Sequence, residues 1–137
     1  EIRRMIKETN ATLPVHALEY LPDNQISTFM NRATGFVFPS KWEGFGIPNL
    51  EAMTAETLVI TSDLGPMPEV CGEHALYCDP YDHTSIAMQM LKCLEMPKEE
   101  RAQRQLRPSV SSASRNAGYR PLSAKCRGQD NCPGARG

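Results

Sequence analysis

At 137 residues the chain has the length of a single domain, with 40% hydrophobic residues and a formal net charge of −1. Its longest apolar stretches run only a few residues, which excludes a membrane-spanning helix, and no segment has the layout of a signal peptide. Five cysteines (Cys71, Cys78, Cys93, Cys126, Cys132) without a Cys-x-x-Cys pair, and three scattered histidines (His16, His74, His83), exclude a ligand set of recognisable spacing. They point instead to buried free thiols in a reducing, cytoplasmic compartment and to a protein without a metal.

In chain order, Ile2, Met5 and Ile6 give one face of a helix that closes at Asn10. Val15-His-Ala-Leu18 reads as a strand. Asp23 is placed to cap a helix whose apolar residues Ile26, Phe29, Met30 and Ala33 recur at helical spacing. Phe36-Val-Phe38 is aromatic and β-branched, a buried strand ended by Pro39, which has no ladder donor. A helix runs from Pro48 to about Ala55, then come a strand at Leu58–Thr61, a short helix at Pro68–Cys71 ended by Gly72, and a strand at Ala75–Tyr77. Residues His83 to Glu95 form a helix with Ile86, Met90, Leu91 and Leu94 inward, broken by Pro97. Repeated βα units of this length imply an α/β fold: a Rossmann-like parallel sheet with helices on both faces. Ligands in such folds sit beyond the carboxyl ends of the strands.

Charge divides the chain. Residues 1–106 carry nine Lys/Arg against fifteen Asp/Glu, whereas residues 107–137 carry six against one. The second segment is rich in Ser, Arg, Gly and Pro and cannot bury enough apolar surface to offset its chain entropy, so a disordered basic tail is expected there. With no dense basic run and Tyr119 as its one aromatic residue, the tail does not read as a nucleic-acid-binding arm.

The chemistry concentrates in Phe38-Pro-Ser-Lys-Trp-Glu43-Gly-Phe-Gly-Ile-Pro48-Asn-Leu-Glu51. Two carboxylates flank a glycine-bracketed turn that opens a helix. Pro48 suits the first helical position, where a missing N–H costs nothing, which makes Ile47 the cap. Isoleucine has no oxygen for the first-turn donors, so those amides and the amides of Gly44, Phe45, Gly46 and Ile47 are left for an anion, favoured by the positive end of the helix dipole. A bare phosphate would be repelled by Glu43 and Glu51. A phosphate flanked by hydroxyl-rich groups would not, because ionised carboxylates accept from hydroxyls. A nucleotide-sugar, with its ribose, diphosphate and sugar, has that layout. Trp42 is expected as a partly buried anchor, Phe45 as a plug under the loop, and Lys41 as a solvated cation.

Glu43-x7-Glu51 with its intervening Gly-Phe-Gly-Ile-Pro resembles the signature of retaining glycosyltransferases of the two-Rossmann-domain GT-B type. These are the glycosyl transferases group one, with glycogen-synthase and mannosyltransferase relatives. The resemblance runs over roughly Val15 to Glu95 and includes Tyr20-Leu-Pro-Asp23, Gly35-Phe-Val-Phe-Pro-Ser40, Val59-Ile-Thr-Ser-Asp63, Pro68-Glu-Val70 and Asp79-Pro-Tyr-Asp82. It implies that residues 1–106 are part of the C-terminal, nucleotide-sugar-binding domain and that 107–137 are a tail unlike the family. It implies metal-independent transfer from a nucleotide-sugar donor (UDP- or GDP-linked) with retention, to an acceptor the sequence does not specify. By the same resemblance Glu43 is the catalytic carboxylate facing the donor sugar, Gly44 to Ile47 hold sugar and diphosphate, and Glu51 holds the ribose. Tyr20 and Leu21 lie near the nucleobase. No nucleic acid is implied, and contact with a membrane surface would come through an N-terminal domain. The family's basic clamp for the diphosphate and its acceptor-binding domain lie upstream of this stretch. A non-catalytic nucleotide-sugar-binding remnant, or a truncated gene product, is therefore the alternative. Where the family has a glycine ending the helix after Glu51, this chain has Glu56, which would have to adopt a left-handed conformation.

Overall fold

The computed structural model describes residues 1–9, 14–18 and 20–105; the expected tail lies outside them. The elements are α1 (Ile2–Thr9), α2 (Asp23–Arg32), β1 (Phe36–Phe38), α3 (Ile47–Thr54), β2 (Val59–Ser62), α4 (Met67–Cys71) with a 3-10 turn over Gly72–His74, β3 (Ala75–Cys78), α5 (His83–Glu95) and α6 (Lys98–Gln105). The strands form one parallel sheet in the order β1-β2-β3, with Phe36 beside Val59 and Val59 beside Ala75.

β2 is the central strand, and every one of its side chains is buried. Alternation along it divides the core in two. Val59 packs with Leu50, Ala52 and Met53 of α3 and with Val70 and Cys71 of α4. Ile60 points the other way and shares a cluster with Leu58, Leu76, Cys78, Cys93 and Met96. Helices thus cover both faces of the sheet, as a near-continuous apolar strand requires. Each fully buried Val or Ile contributes about 1.5–3 kcal/mol through burial, so a charged residue at Ile60 would unfold the second layer.

Three expectations are corrected by packing. Among the described residues Val15–Leu18 forms no strand and lies outside the three-stranded sheet, since a strand needs a ladder neighbour. Asp23 does not cap α2; Pro22 holds that position in extended geometry, its carbonyl accepting from Gln25 and Ile26, and Asp23 is the acid of the first turn. On α5 the buried line is Cys93 with Met96 just beyond, and Ile86 half-buried, whereas Met90, Leu91 and Leu94 are exposed, Leu94 by 65%. Two apolar lines wind around this helix at the same spacing. The one that wins carries the small Cys93 over Gly35, where an added Cβ would come within 2.8 Å of Cys93 Sγ. α5 stops at Glu95 before Pro97, as expected, and α6 then begins at once and docks on the 3-10 turn, with Arg104 donating to the Glu73 carbonyl.

The helix after Glu51 ends as its sequence implies. Glu56 has φ of +60°, the one positive φ at a residue other than glycine among the described residues. Its N–H donates to Met53 O and the N–H of Thr57 to Ala52 O, the paired bonds of a Schellman ending built without glycine.

Candidate functional site

The site residues sit at the carboxyl end of the sheet, on the loop that leaves β1 and enters α3. Two hydrogen bonds tighten its start: the Ser40 N–H donates to Phe38 O and its hydroxyl to Trp42 O. At its end Gly46 is the cap of α3, with φ of +74° and ψ of +41°, and its carbonyl accepts from Asn49 and Leu50. The cap is therefore Gly46 rather than Ile47, and Pro48 is the second helical residue. The difference of one position arises because Pro fits anywhere in the first turn, where no N–H has an intrahelical partner. The consequence is unchanged, since glycine offers no side-chain oxygen either. Among the described residues, the amides of Gly44, Phe45, Gly46 and Ile47 donate to no protein acceptor. Four consecutive free donors at the positive end of a helix are an arrangement that suits an anion, an amide cradle.

Glu43 precedes the cradle and is half-buried, and a Cβ added to Gly65 of the loop after β2 would stand 4.0 Å from its carbonyl oxygen. Glu51 lies one turn into α3 and is also half-buried. The fold thus keeps Glu43, Gly44 to Ile47 and Glu51 on one loop–helix junction. Tyr20 and Leu21 precede α2, which packs on α3, and among the described residues no backbone hydrogen bond joins them to residues 43–47. Phe45 packs under the loop against the first core cluster, as expected. Trp42 does not anchor anything; it is 93% exposed. Nor is Lys41 merely solvated, since its Nζ lies 4.6 Å from the centroid of the Tyr81 ring on the loop after β3.

The two glycines of the loop differ in kind. A Cβ on Gly46 would sit 2.5 Å from Met67 Cε, so both its φ and its surroundings demand glycine. Gly44 has no positive φ, and a Cβ there would meet nothing within 4 Å. Folding does not demand glycine at 44.

Beneath the cradle lies a polar brace that the sequence did not announce as functional. Asn49 is fully buried, its Nδ2 donating to Thr61 Oγ1 at 2.9 Å and to Met67 Sδ at 2.9 Å. Thr61 Oγ1 in turn donates to Phe38 O at 3.1 Å. One amide thereby ties the ends of β1 and β2 and the start of α4 to the first turn of α3. The available signal was Asn49's spacing from Ala52 and Met53, which puts it on the inward face of the helix.

Burial pushes the Cys71 thiol up to about 11, and burial with the nearby Asp63 and Asp79 charges raises Cys78, so both stay protonated near neutrality. Among the described residues no group of three His, Cys, Asp or Glu could hold a metal ion, and no helix is long and apolar enough to cross a membrane.

The profile of the family Glycosyl transferases group 1 matches residues 1–107. The chain belongs to that family. Similar proteins include the O-antigen chain mannosyltransferase B of Escherichia coli, 38% identical over 81 residues, which are 59% of this chain and 21% of that protein. The MMP alpha-(1->4)-mannosyltransferase of Mycolicibacterium hassiacum is 31% identical over 101 residues, 72% of this chain and 25% of that protein. The Alpha-maltose-1-phosphate synthase of Mycolicibacterium smegmatis is 47% identical over 55 residues, 40% of this chain and 14% of that protein. The chain spans a quarter or less of the length of these curated relatives.

Proposed function

We propose that this group 1 domain binds the nucleotide-sugar donor, UDP- or GDP-linked, of a cytoplasmic glycosyltransferase that works without a metal and retains anomeric configuration. The observation that carries the reading is the row of four unpartnered amides, Gly44 to Ile47, at the positive end of α3 between Glu43 and Glu51. In this reading the amides hold the diphosphate and sugar. Glu43 accepts from the sugar hydroxyls and stabilises the positive charge that develops as the glycosidic bond breaks. Glu51 accepts from the ribose, and Tyr20 and Leu21 lie on the nucleobase side. The attacking acceptor hydroxyl approaches on the face where the leaving phosphate remains, which retains configuration without a side-chain nucleophile. The mannosyltransferase names of several relatives favour a mannose-type hexosyl donor. The buried free thiols Cys71, Cys78 and Cys93 fit a reducing compartment.

Gly44 supplies the test. Its freedom from any fold requirement leaves ligand approach as the reason for glycine, so Gly44→Ala should leave the melting temperature unchanged and abolish donor binding. Titrating the chain with GDP-mannose and UDP-glucose by calorimetry should give millimolar affinity, about 4 kcal/mol, unaltered by EDTA. Flat titrations on a folded sample, or full binding by Gly44→Ala, would refute the reading.

A further inference from the structure

Asn49 is buried at a cost to stability. Its Nδ2 donates to Thr61 Oγ1 and to Met67 Sδ, but its Oδ1, equally buried, has no hydrogen-bond partner among the described residues. Turning the amide over would not help, because Met67 Sδ only accepts and Thr61 Oγ1 already donates to Phe38 O. A buried carbonyl without a donor destabilises the fold, and an apolar side chain of the same branched shape would avoid that loss. Stability alone therefore does not ask for asparagine at 49. What the residue does is fasten the loop at 39–46 from below, at both ends. At the far end the Asn49 N–H donates to the Gly46 carbonyl at 3.0 Å, and Nδ2 lies 3.4 Å from the place a Cβ on Gly46 would take. At the near end Asn49 reaches Phe38 O through the fully buried Thr61 hydroxyl, and the same carbonyl accepts the Ser40 N–H at 2.9 Å. Two side chains, Asn49 and Thr61, thus span from the last residue of β1 to the cap of α3.

We infer that Asn49, acting through Thr61, is a positioning residue for the donor: it holds the amides of Gly44 to Ile47 in place before the ligand arrives. The inference rests on the donor-site reading for the ligand itself. Backbone amides bind an anion well only when already ordered, because ordering a loop on binding subtracts from affinity. This loop carries glycine at 44 and 46 and has much backbone freedom to lose. Phe45 packs against the first core cluster and Ser40 ties itself to Trp42, but neither contact joins the two ends of the loop. The bridge through Asn49 and Thr61 does. The unpartnered Oδ1 is then stability given up for the geometry of a site, a compromise expected of a residue that serves binding.

Positioning and packing separate because stability and affinity should move apart. GDP-mannose is titrated into the folded chain while the amide signals of Gly44 to Ile47 are followed by NMR, and each variant is also melted. Asn49→Leu, alone or with Thr61→Val, replaces the bridge by apolar groups of the same shape. Both should melt at or above the parent temperature and bind about ten-fold more weakly, the contribution of one hydrogen bond. Thr61→Ser loses a buried methyl but keeps the hydroxyl, so it should melt lower and bind as the parent does. Thr61→Val alone leaves Nδ2 short of an acceptor, and at a comparable loss of melting temperature it should bind about ten-fold more weakly than Thr61→Ser. That last pair decides the matter even where leucine at 49 prevents folding. Parental affinity in Asn49→Leu, or equal affinity of Thr61→Val and Thr61→Ser, would overturn the inference and leave the donor site standing. Absence of binding by the parent chain would refute donor site and positioning role together.

Discussion

Replacing Gly46 by alanine tests how the anion cradle is held. The backbone there has φ of +74°, which costs a residue with a side chain about 1–2 kcal/mol. The new Cβ would stand 2.5 Å from Met67 Cε and 2.8 Å from its Sδ, and Met67 is fully buried and hydrogen-bonded by Asn49, so it cannot swing aside. Overpacking of that kind costs about 1–3 kcal/mol. Alanine recovers about 0.4–1 kcal/mol by restricting the unfolded chain. The net loss expected is about 2–4 kcal/mol, measured as the shift in urea midpoint at constant slope. Met67→Ala should by itself cost about 2–5 kcal/mol as a large-to-small core change. In that background the clash is gone, and Gly46→Ala should cost only about 1 kcal/mol, the backbone strain alone. Equal costs of Gly46→Ala in the two backgrounds would refute the packing argument. A loss below about 1 kcal/mol in the parent would refute the left-handed cap as well.

The same physics with opposite sign applies at Glu56, where Glu56→Gly should raise stability by about 0.5–1 kcal/mol and the melting temperature by several degrees, read by calorimetry; no gain would mean that the left-handed ending is unstrained. In a full-length enzyme carrying this domain, Glu43→Gln should lower turnover about a hundred-fold or more, about 3 kcal/mol, with little change in donor affinity, whereas Glu51→Ala should weaken donor binding first. Steady-state kinetics with donor titrations decides this, and exchanged phenotypes would reverse the roles. Stability should fall as pH rises from about 9 toward 11, because the folded state keeps the Cys71 proton that the unfolded state releases. Urea unfolding across that range should show the decline, shallower in Cys71→Ala.

Much of the candidate site was legible in the sequence because it is local. Glu43, Gly44 to Ile47 and Glu51 lie within nine residues, and the rules that make the word a strand–loop–helix junction act over one or two turns of chain. The strands at 36–38, 59–62 and 75–78 were legible for the same reason, as was the left-handed Glu56, since a helix must end somewhere between Glu51 and the strand after it. Tertiary structure decided what depends on a choice among equivalent local solutions. Two apolar lines on α5 have identical spacing, and only the close approach at Gly35 selects Cys93 over Leu91 and Leu94. Val15–Leu18 has the residues of a strand, but pairing depends on a neighbour that local sequence does not contain. Asn49 became a brace through Thr61 on β2 and Met67 on α4, and Lys41 met the Tyr81 ring, through contacts that form only when the strands align. Periodicity specifies which residues can be buried, and packing then specifies which of them are.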